Sequence, residues 1–222
     1  MTKTFLIDTT FLNDDTVFQQ LYNQTSTYRQ KKIDSFRFRK DKNLCLGAGA
    51  LLNFALKEFG LSEKDMTYSL EKAGKPCFEN HKEIQFNISH SCKCAIVSVS
   101  DNAIGCDIEL ITPQELDIAK KFFHKNEYMY LKSINNPGEQ IYAFFRLWTL
   151  KESYVKALGK GMTKPFHSFA VEIGDKITIF DNQDEKPHFF KEYRWGEYAI
   201  ACCGQQDSFQ KELIVVTPKD LE

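Results

Sequence analysis

Apolar side chains recur at helical spacing through Ala48, Leu51, Leu52, Ala55, Leu56 and Phe59. That stripe predicts a helix over residues 44–59, buried along one face and ending at Gly60. The period then shortens. Residues 84–88, 95–100 and 105–110 alternate or run apolar and read as strands, the last two joined through the turn at Asp101-Asn102. Pro113 opens a helical stretch containing Leu116, Ala119 and Phe122-Phe123. After the turn Asn135-Asn136-Pro137-Gly138, a long helix is predicted from about residue 140 to 158, stopped near Gly159 and Gly161. Residues 169–173, 176–180, 188–193 and 197–202 are short strand-like runs separated by Gly, Asp, Asn and Pro.

Each half therefore offers one main helix and several strands, with a seam near residues 101–104. The order predicts an α+β fold of two lobes sharing an interface, residues 1–103 and residues 104–222. Exact internal repeats are absent.

Composition narrows the function. The chain has 222 residues, 42% apolar and 27% charged, in the range of ordinary globular proteins. A formal charge of -1 argues against a dominant nucleic-acid footprint. No apolar run is long enough to span a bilayer, and residues 1–10 lack the pattern of a secretory signal, so a cytoplasmic protein without a membrane partner is expected. The seven cysteines include Cys92-Lys93-Cys94, too closely spaced for a usual zinc pair, and vicinal Cys202-Cys203. A reduced, mostly buried structural role is expected for them.

The candidate chemistry starts at Asp107 and Glu109. On a strand, alternate residues share a face, so these carboxylates point the same way while Ile108 faces a core. Held side by side they repel, and an oxygen-seeking cation such as Mg2+ relieves that repulsion. A solvated sheet face explains most such pairs when they stand alone. Further along, Ile141, Phe145, Trp148 and Val155 form an apolar stripe with Glu152 inside it and Lys156 one turn later. That pair is either helix-surface chemistry or a carboxylate and an ammonium at a site. Lys151 is expected at the flank of the helix, facing solvent or a ligand phosphate. Ser89 and His90 follow a strand and could donate to phosphate, or simply form a strand-end turn. Lys75 lies in the turn Gly74-Lys75-Pro76, and residues 31–42 are basic, with Lys32, Arg37, Arg39 and Lys40. Together these cations could receive a polyanionic ligand. No Gly-x-Gly-x-x-Gly after a strand, no phosphate loop and no Gly-x-Ser-x-Gly occurs, which disfavours hydride transfer, nucleotide hydrolysis and serine esterase chemistry.

These segments, taken in order, resemble the 4'-phosphopantetheinyl transferases. They are Gly74-Lys75-Pro76, Asn87-Ile88-Ser89-His90-Ser91, Ile104-Gly105-Cys106-Asp107-Ile108-Glu109 and the run from Trp148 through Gly159. The likeness is to the long, two-lobed class that includes the surfactin-synthetase-activating enzyme. It implies two similar α+β lobes in a pseudo-twofold arrangement, and a monomer. It also implies transfer of phosphopantetheine from coenzyme A to a serine of an apo acyl, peptidyl or aryl carrier protein, releasing adenosine 3',5'-bisphosphate. Such carriers serve fatty-acid, polyketide and nonribosomal peptide synthesis. By resemblance Asp107, Glu109 and Glu152 would hold Mg2+, with Mn2+ as a substitute. Glu152 would accept the serine proton, and Lys156 would stabilise the pyrophosphate. Lys75, Ser89 and His90 would contact coenzyme A, with Lys32, Arg39 and Lys151 as further contacts. The chain departs from the class at Leu44 and Cys45, where an Arg-Thr or Arg-Ser pair is usual, and at Cys106, where an aliphatic residue is common. Two other readings are a metal-dependent pyrophosphate hydrolase and a non-catalytic coenzyme A-binding protein.

Overall fold

The apolar stripe that begins at residue 44 belongs to a longer helix, because its first turns are polar and carry no hydrophobic period. In the computed structural model, which describes residues 1–71, 73–113 and 116–221, the helix runs Arg39–Lys57 (α3). It is preceded by β1 (Lys3–Asp8), α1 (Asp15–Gln24) and α2 (Thr27–Ser35). Side chains of Asp14 and Ser26 accept from the first free N–H groups of α1 and α2, which stabilises both helix starts; α1 turns Val17, Phe18, Leu21 and Tyr22 toward the core, while α2 is polar with little period.

After α3 come β2 (Tyr68–Leu70), β3 (Pro76–Phe78), β4 (Gln85–Ser91), β5 (Cys94–Ser100) and β6 (Ile104–Leu110). The expected helical stretch after Pro113 is α4 (Leu116–Phe122); residues 114 and 115 lie outside the described residues. Then follow α5 (Lys125–Ser133), α6 (Pro137–Ala157), β7 (Ala170–Ile173), β8 (Ile177–Phe180), β9 (Phe189–Trp195), β10 (Tyr198–Gly204) and β11 (Ile214–Val215). Helix α6 starts earlier than its apolar period because Asn136 caps it and Pro137 occupies its first position, where a missing N–H costs nothing.

The architecture is mixed α+β. One sheet has the order β11-β1-β5-β4 and a second has the order β6-β10-β9. Helix α3 packs on the first, with Leu51, Leu52 and Leu56 against Phe5, Val97 and Phe86. Helix α6 packs on the second through Leu150, Tyr154 and Ala157 against Ala199, Ala201 and Cys203. A third core joins the sheets, with Leu6 and Ile96 meeting Cys106, Ile108 and Ile200. The end of the chain returns to the first sheet: β11 pairs in parallel with β1, Phe5 opposite Ile214. The cysteines are all free; Cys45, Cys94, Cys106, Cys202 and Cys203 are buried, Cys77 is half-buried and Cys92 is exposed. Among the described residues no helix is long and apolar enough to cross a membrane.

Candidate active site

Strands β4 and β6 are the facing edges of the two sheets, and α6 lies across β6. A cleft of about 390 Å3 opens where they meet, lined from one half by Arg29, Lys32, Ser89 and His90 and from the other by Asp107, Glu109, Glu152 and Lys156. A larger hollow of about 650 Å3 lies between α5, α6 and the β7–β8 hairpin. Its buried carboxylate, Glu127, is already committed to Lys151 Nζ and the Val171 N–H, so the chemistry belongs to the smaller cleft.

Asp107 is buried, and its Oδ1 accepts from Lys156 Nζ at 2.6 Å and from Ser89 Oγ at 2.7 Å. Its Oδ2 is buried and has no hydrogen-bond partner. An orphaned carboxylate oxygen is costly to desolvate unless a further donor or a cation satisfies it. Glu109 Oε2 accepts from Ser91 Oγ at 2.8 Å. Burial first, then repulsion by Asp107, pushes the Glu109 carboxyl up to about 7 against the opposing pull of Ser91 and Lys156. Glu152 is raised for the same reasons, burial before Asp107, with Lys156 opposing. Burial disfavours the Lys156 ammonium, but Asp107, Cys106 and Glu152 together hold it above the usual lysine value. Its protons are committed to Asp107, Ser89 Oγ at 3.0 Å and the Cys106 carbonyl at 3.2 Å. His90, exposed at the end of its strand, is still lowered by partial desolvation and then by Lys156 and Lys32, which favours its neutral form.

The structure thus gathers Asp107, Glu109, Glu152, Lys156, Lys32, Ser89 and His90 around one cleft. It does not bring Lys75, Arg39 or Lys151 there. Lys75 Nζ turns into the seam between the halves and donates to the Ile104 carbonyl at 2.8 Å. Arg39 is held by Asp15, Asn43 and the Leu12 carbonyl, stacked over Phe18. Lys151, expected to face solvent or a phosphate, is fully buried: it donates to Glu127 Oε1 at 2.6 Å and to the Phe169 carbonyl at 2.9 Å, over the Phe169 ring. The reason is tertiary. Helix α5 and the segment entering β7 cover what the helix period alone leaves as an outer flank.

Lys151→Met should therefore cost stability and not ligand affinity. Breaking one partner of a buried pair typically costs about 3–5 kcal/mol, which urea unfolding would register, while the KM for the ligand stays unchanged. A raised KM with unchanged stability would return Lys151 to the ligand.

Sequence reasoning missed Arg29, whose guanidinium side chain lines the cleft while its Nε donates to the buried Glu63 Oε1 at 3.3 Å. The signal was present, since Arg29 lies one turn before Lys32 on the same helix. Trp148, Phe36 and Cys45 also line the cleft.

With this geometry in place, similarity to known proteins becomes informative. The profile of the 4'-phosphopantetheinyl transferase superfamily matches residues 103–203. The 4'-phosphopantetheinyl transferase Sfp of Bacillus subtilis strain 168 is 31% identical over 200 residues, covering 88% of this chain and 89% of that protein. The chain belongs to this family. Another member, gsp of Aneurinibacillus migulanus, is 32% identical over 198 residues, covering 86% of this chain and 80% of its own length. Among solved structures, the holo-[acyl-carrier-protein] synthase of Thermotoga maritima aligns over 48% of this chain and 64% of its own, at 16% identity and a TM-score of 0.41. The residues matched by the family profile contain β6, α6 and all of β10 but its last residue, the elements that carry and back the acidic cluster.

Proposed function

We propose that this chain transfers the 4'-phosphopantetheine arm of coenzyme A to a serine of an apo acyl, peptidyl or aryl carrier protein, releasing adenosine 3',5'-bisphosphate. The observation that carries this reading is that one cleft is lined by both charges: Asp107, Glu109 and Glu152 together with Arg29, Lys32 and His90, with Lys156 bonded to Asp107 of β6 and Ser89 of β4. A long diphosphate ester with a separate terminal phosphate is complementary to that layout. The likeness runs along 89% of Sfp, and from the resemblance of the motifs we take the chain to be of the two-lobed type and a monomer. We take residues 1–103 and 104–222 as the two lobes, with the last strand returning to the first.

Lys32, Arg29 and His90 would receive the adenosine 3'-phosphate end. The nearby Lys156 and Lys32 disfavour a charge on His90, so its loss should matter less than that of Lys32. Lys32→Ala is expected to weaken coenzyme A binding about 10-fold, as for a lost charge-assisted hydrogen bond. His90→Gln should change it less, and calorimetric titration would show the order. Equal, undiminished affinity in both variants would remove them from the ligand.

The chemistry of Asp107, Glu109 and Glu152 fits Mg2+ or Mn2+: hard oxygen donors, mutual repulsion, and an orphaned Asp107 Oδ2. Among the described residues no three such side chains stand together at ligand spacing, and Lys156 and the two serines engage the carboxylates instead. The ion, when bound, would neutralise charge on the pyrophosphate. Glu152, made more basic by burial, would take the proton of the carrier serine as its oxygen attacks phosphorus. Lys156 would trade its bond to the Cys106 carbonyl for the leaving oxygen and offset the charge that develops there. Trp148 lines the same cleft and would help keep water from the attacked phosphorus.

The deciding experiment incubates the protein with coenzyme A, Mg2+ and a panel of apo carriers, followed by intact mass. One phosphopantetheine added to a carrier, and lost with EDTA, is the expected result. Free phosphopantetheine appearing without any acceptor would replace transfer with hydrolysis. Absence of coenzyme A binding would overturn the reading.

A further inference from the structure

Strands β4 and β6 close their sheets edge to edge, yet no backbone ladder joins them. The junction is made by side chains. Asn87, Ser89 and Ser91 alternate along β4 and so share one face. Asn87 Oδ1 accepts from the Cys106 N–H at 2.8 Å, and Ser91 Oγ accepts from the Leu110 N–H at 3.1 Å. Unpaired N–H groups at the edge of the second sheet are thus satisfied from the first.

Ser91 does a second thing. A hydroxyl has one proton, and its acceptor side is taken by the Leu110 N–H, so the proton points to Glu109 Oε2. Ser89 is wired alike: Lys156 Nζ donates to its oxygen, and its proton goes to Asp107 Oδ1. Each carboxylate therefore has one oxygen tied to β4 and the other left for a ligand. For Glu109 that tie is Ser91, which stands on the other sheet.

We propose that Ser91 is a positioning residue for divalent-cation binding, orienting Glu109 across the junction between the two halves. The proposal rests on reading the cleft as a transferase site. It also reassigns Ser89, whose proton is committed to Asp107, from ligand donor to the same positioning role. Coenzyme A without metal makes no demand on Ser91.

The test compares wild type, Ser91→Ala and Ser91→Thr as full-length proteins. Mn2+ affinity is read by electron paramagnetic resonance, coenzyme A affinity is measured in EDTA, and kcat and KM are measured with an apo carrier. Orienting partners of metal ligands are typically worth 10–100-fold in affinity, so Ser91→Ala should bind Mn2+ about 10-fold more weakly. Its kcat should fall while metal-free coenzyme A affinity holds, and Ser91→Thr should restore Mn2+ affinity. If Ser91→Ala loses cooperative unfolding, Ser91→Cys, nearly isosteric and a weak donor, carries the same comparison. Unchanged Mn2+ affinity and kcat in the variant, with wild type binding Mn2+, would overturn the role of Ser91 alone. Failure of wild type to bind Mn2+ in the presence of coenzyme A would overturn the transferase reading and this role together.

Discussion

Asp107→Ala should lower transfer to the carrier by on the order of 10²–10³-fold, the scale of losing one electrostatic stabiliser at a reacting centre. Asp107 holds Lys156 at 2.6 Å, receives Ser89, and offers a free buried oxygen. Its removal withdraws a cation ligand and releases the lysine at once. Folding should survive. The orphaned Oδ2 is a destabilising group that disappears with the side chain, and Lys156 keeps the Ser89 and Cys106 acceptors. Asp107→Asn separates charge from shape, because the amide oxygen still accepts from Ser89 while the charge is gone. It should be nearly as inactive as alanine. Intact carrier mass against time, beside a thermal melt, measures both quantities; near-wild-type turnover in either variant would take Asp107 out of the site.

A second large loss is expected from Gly105→Ala, by a different cause. A Cβ at residue 105 would overlap the Ser153 carbonyl oxygen and the Ala157 nitrogen, both backbone atoms of α6. Backbone of a central helix cannot rotate aside as a side chain can. Either β6 or α6 must shift, and these carry Asp107 and Glu109 on one and Glu152 and Lys156 on the other. Overpacking usually costs about 1–3 kcal/mol, and this one should lie at or above the upper end. Gly204→Ala is the control, since its Cβ would meet Phe209 Cζ at 3.4 Å and Ile104 Cδ1 at 3.5 Å, ends of side chains that can yield. Urea unfolding should show a loss about 2–3 kcal/mol larger for Gly105→Ala than for Gly204→Ala. Equal stability of the two would mean that the close approach of β6 and α6 is not required.

Some elements were plain in the chain because their pattern survives without context. The main helices and the central strands follow from the 3.6- and 2-residue periods, and Asp107 and Glu109 share a face by strand geometry alone. Glu152 stood out because a carboxylate inside an apolar stripe needs a partner. Helix α2 was missed because it is polar and depends on its cap and on packing against α3, whereas α1 carried a readable period in Val17, Phe18, Leu21 and Tyr22 that went unread because it spans barely two turns. Strand β11 was missed because two residues carry no period, and its partner is β1, at the opposite end of the chain.

The site divides along the same line. Residue order by itself determined which side chains could do the chemistry: the alternating carboxylates, the helix bearing Glu152 and Lys156, and the basic stretch with Lys32. Only the tertiary structure decided which cations reach them. Lys151 and Lys156 stand on one helix, yet Lys156 meets Asp107 in the cleft while Lys151 is sealed against Glu127 and Phe169. A helical period says which residues share a face. What lies against that face is set by segments distant in the chain, here β4 and β6 on one side and α5 with the approach to β7 on the other.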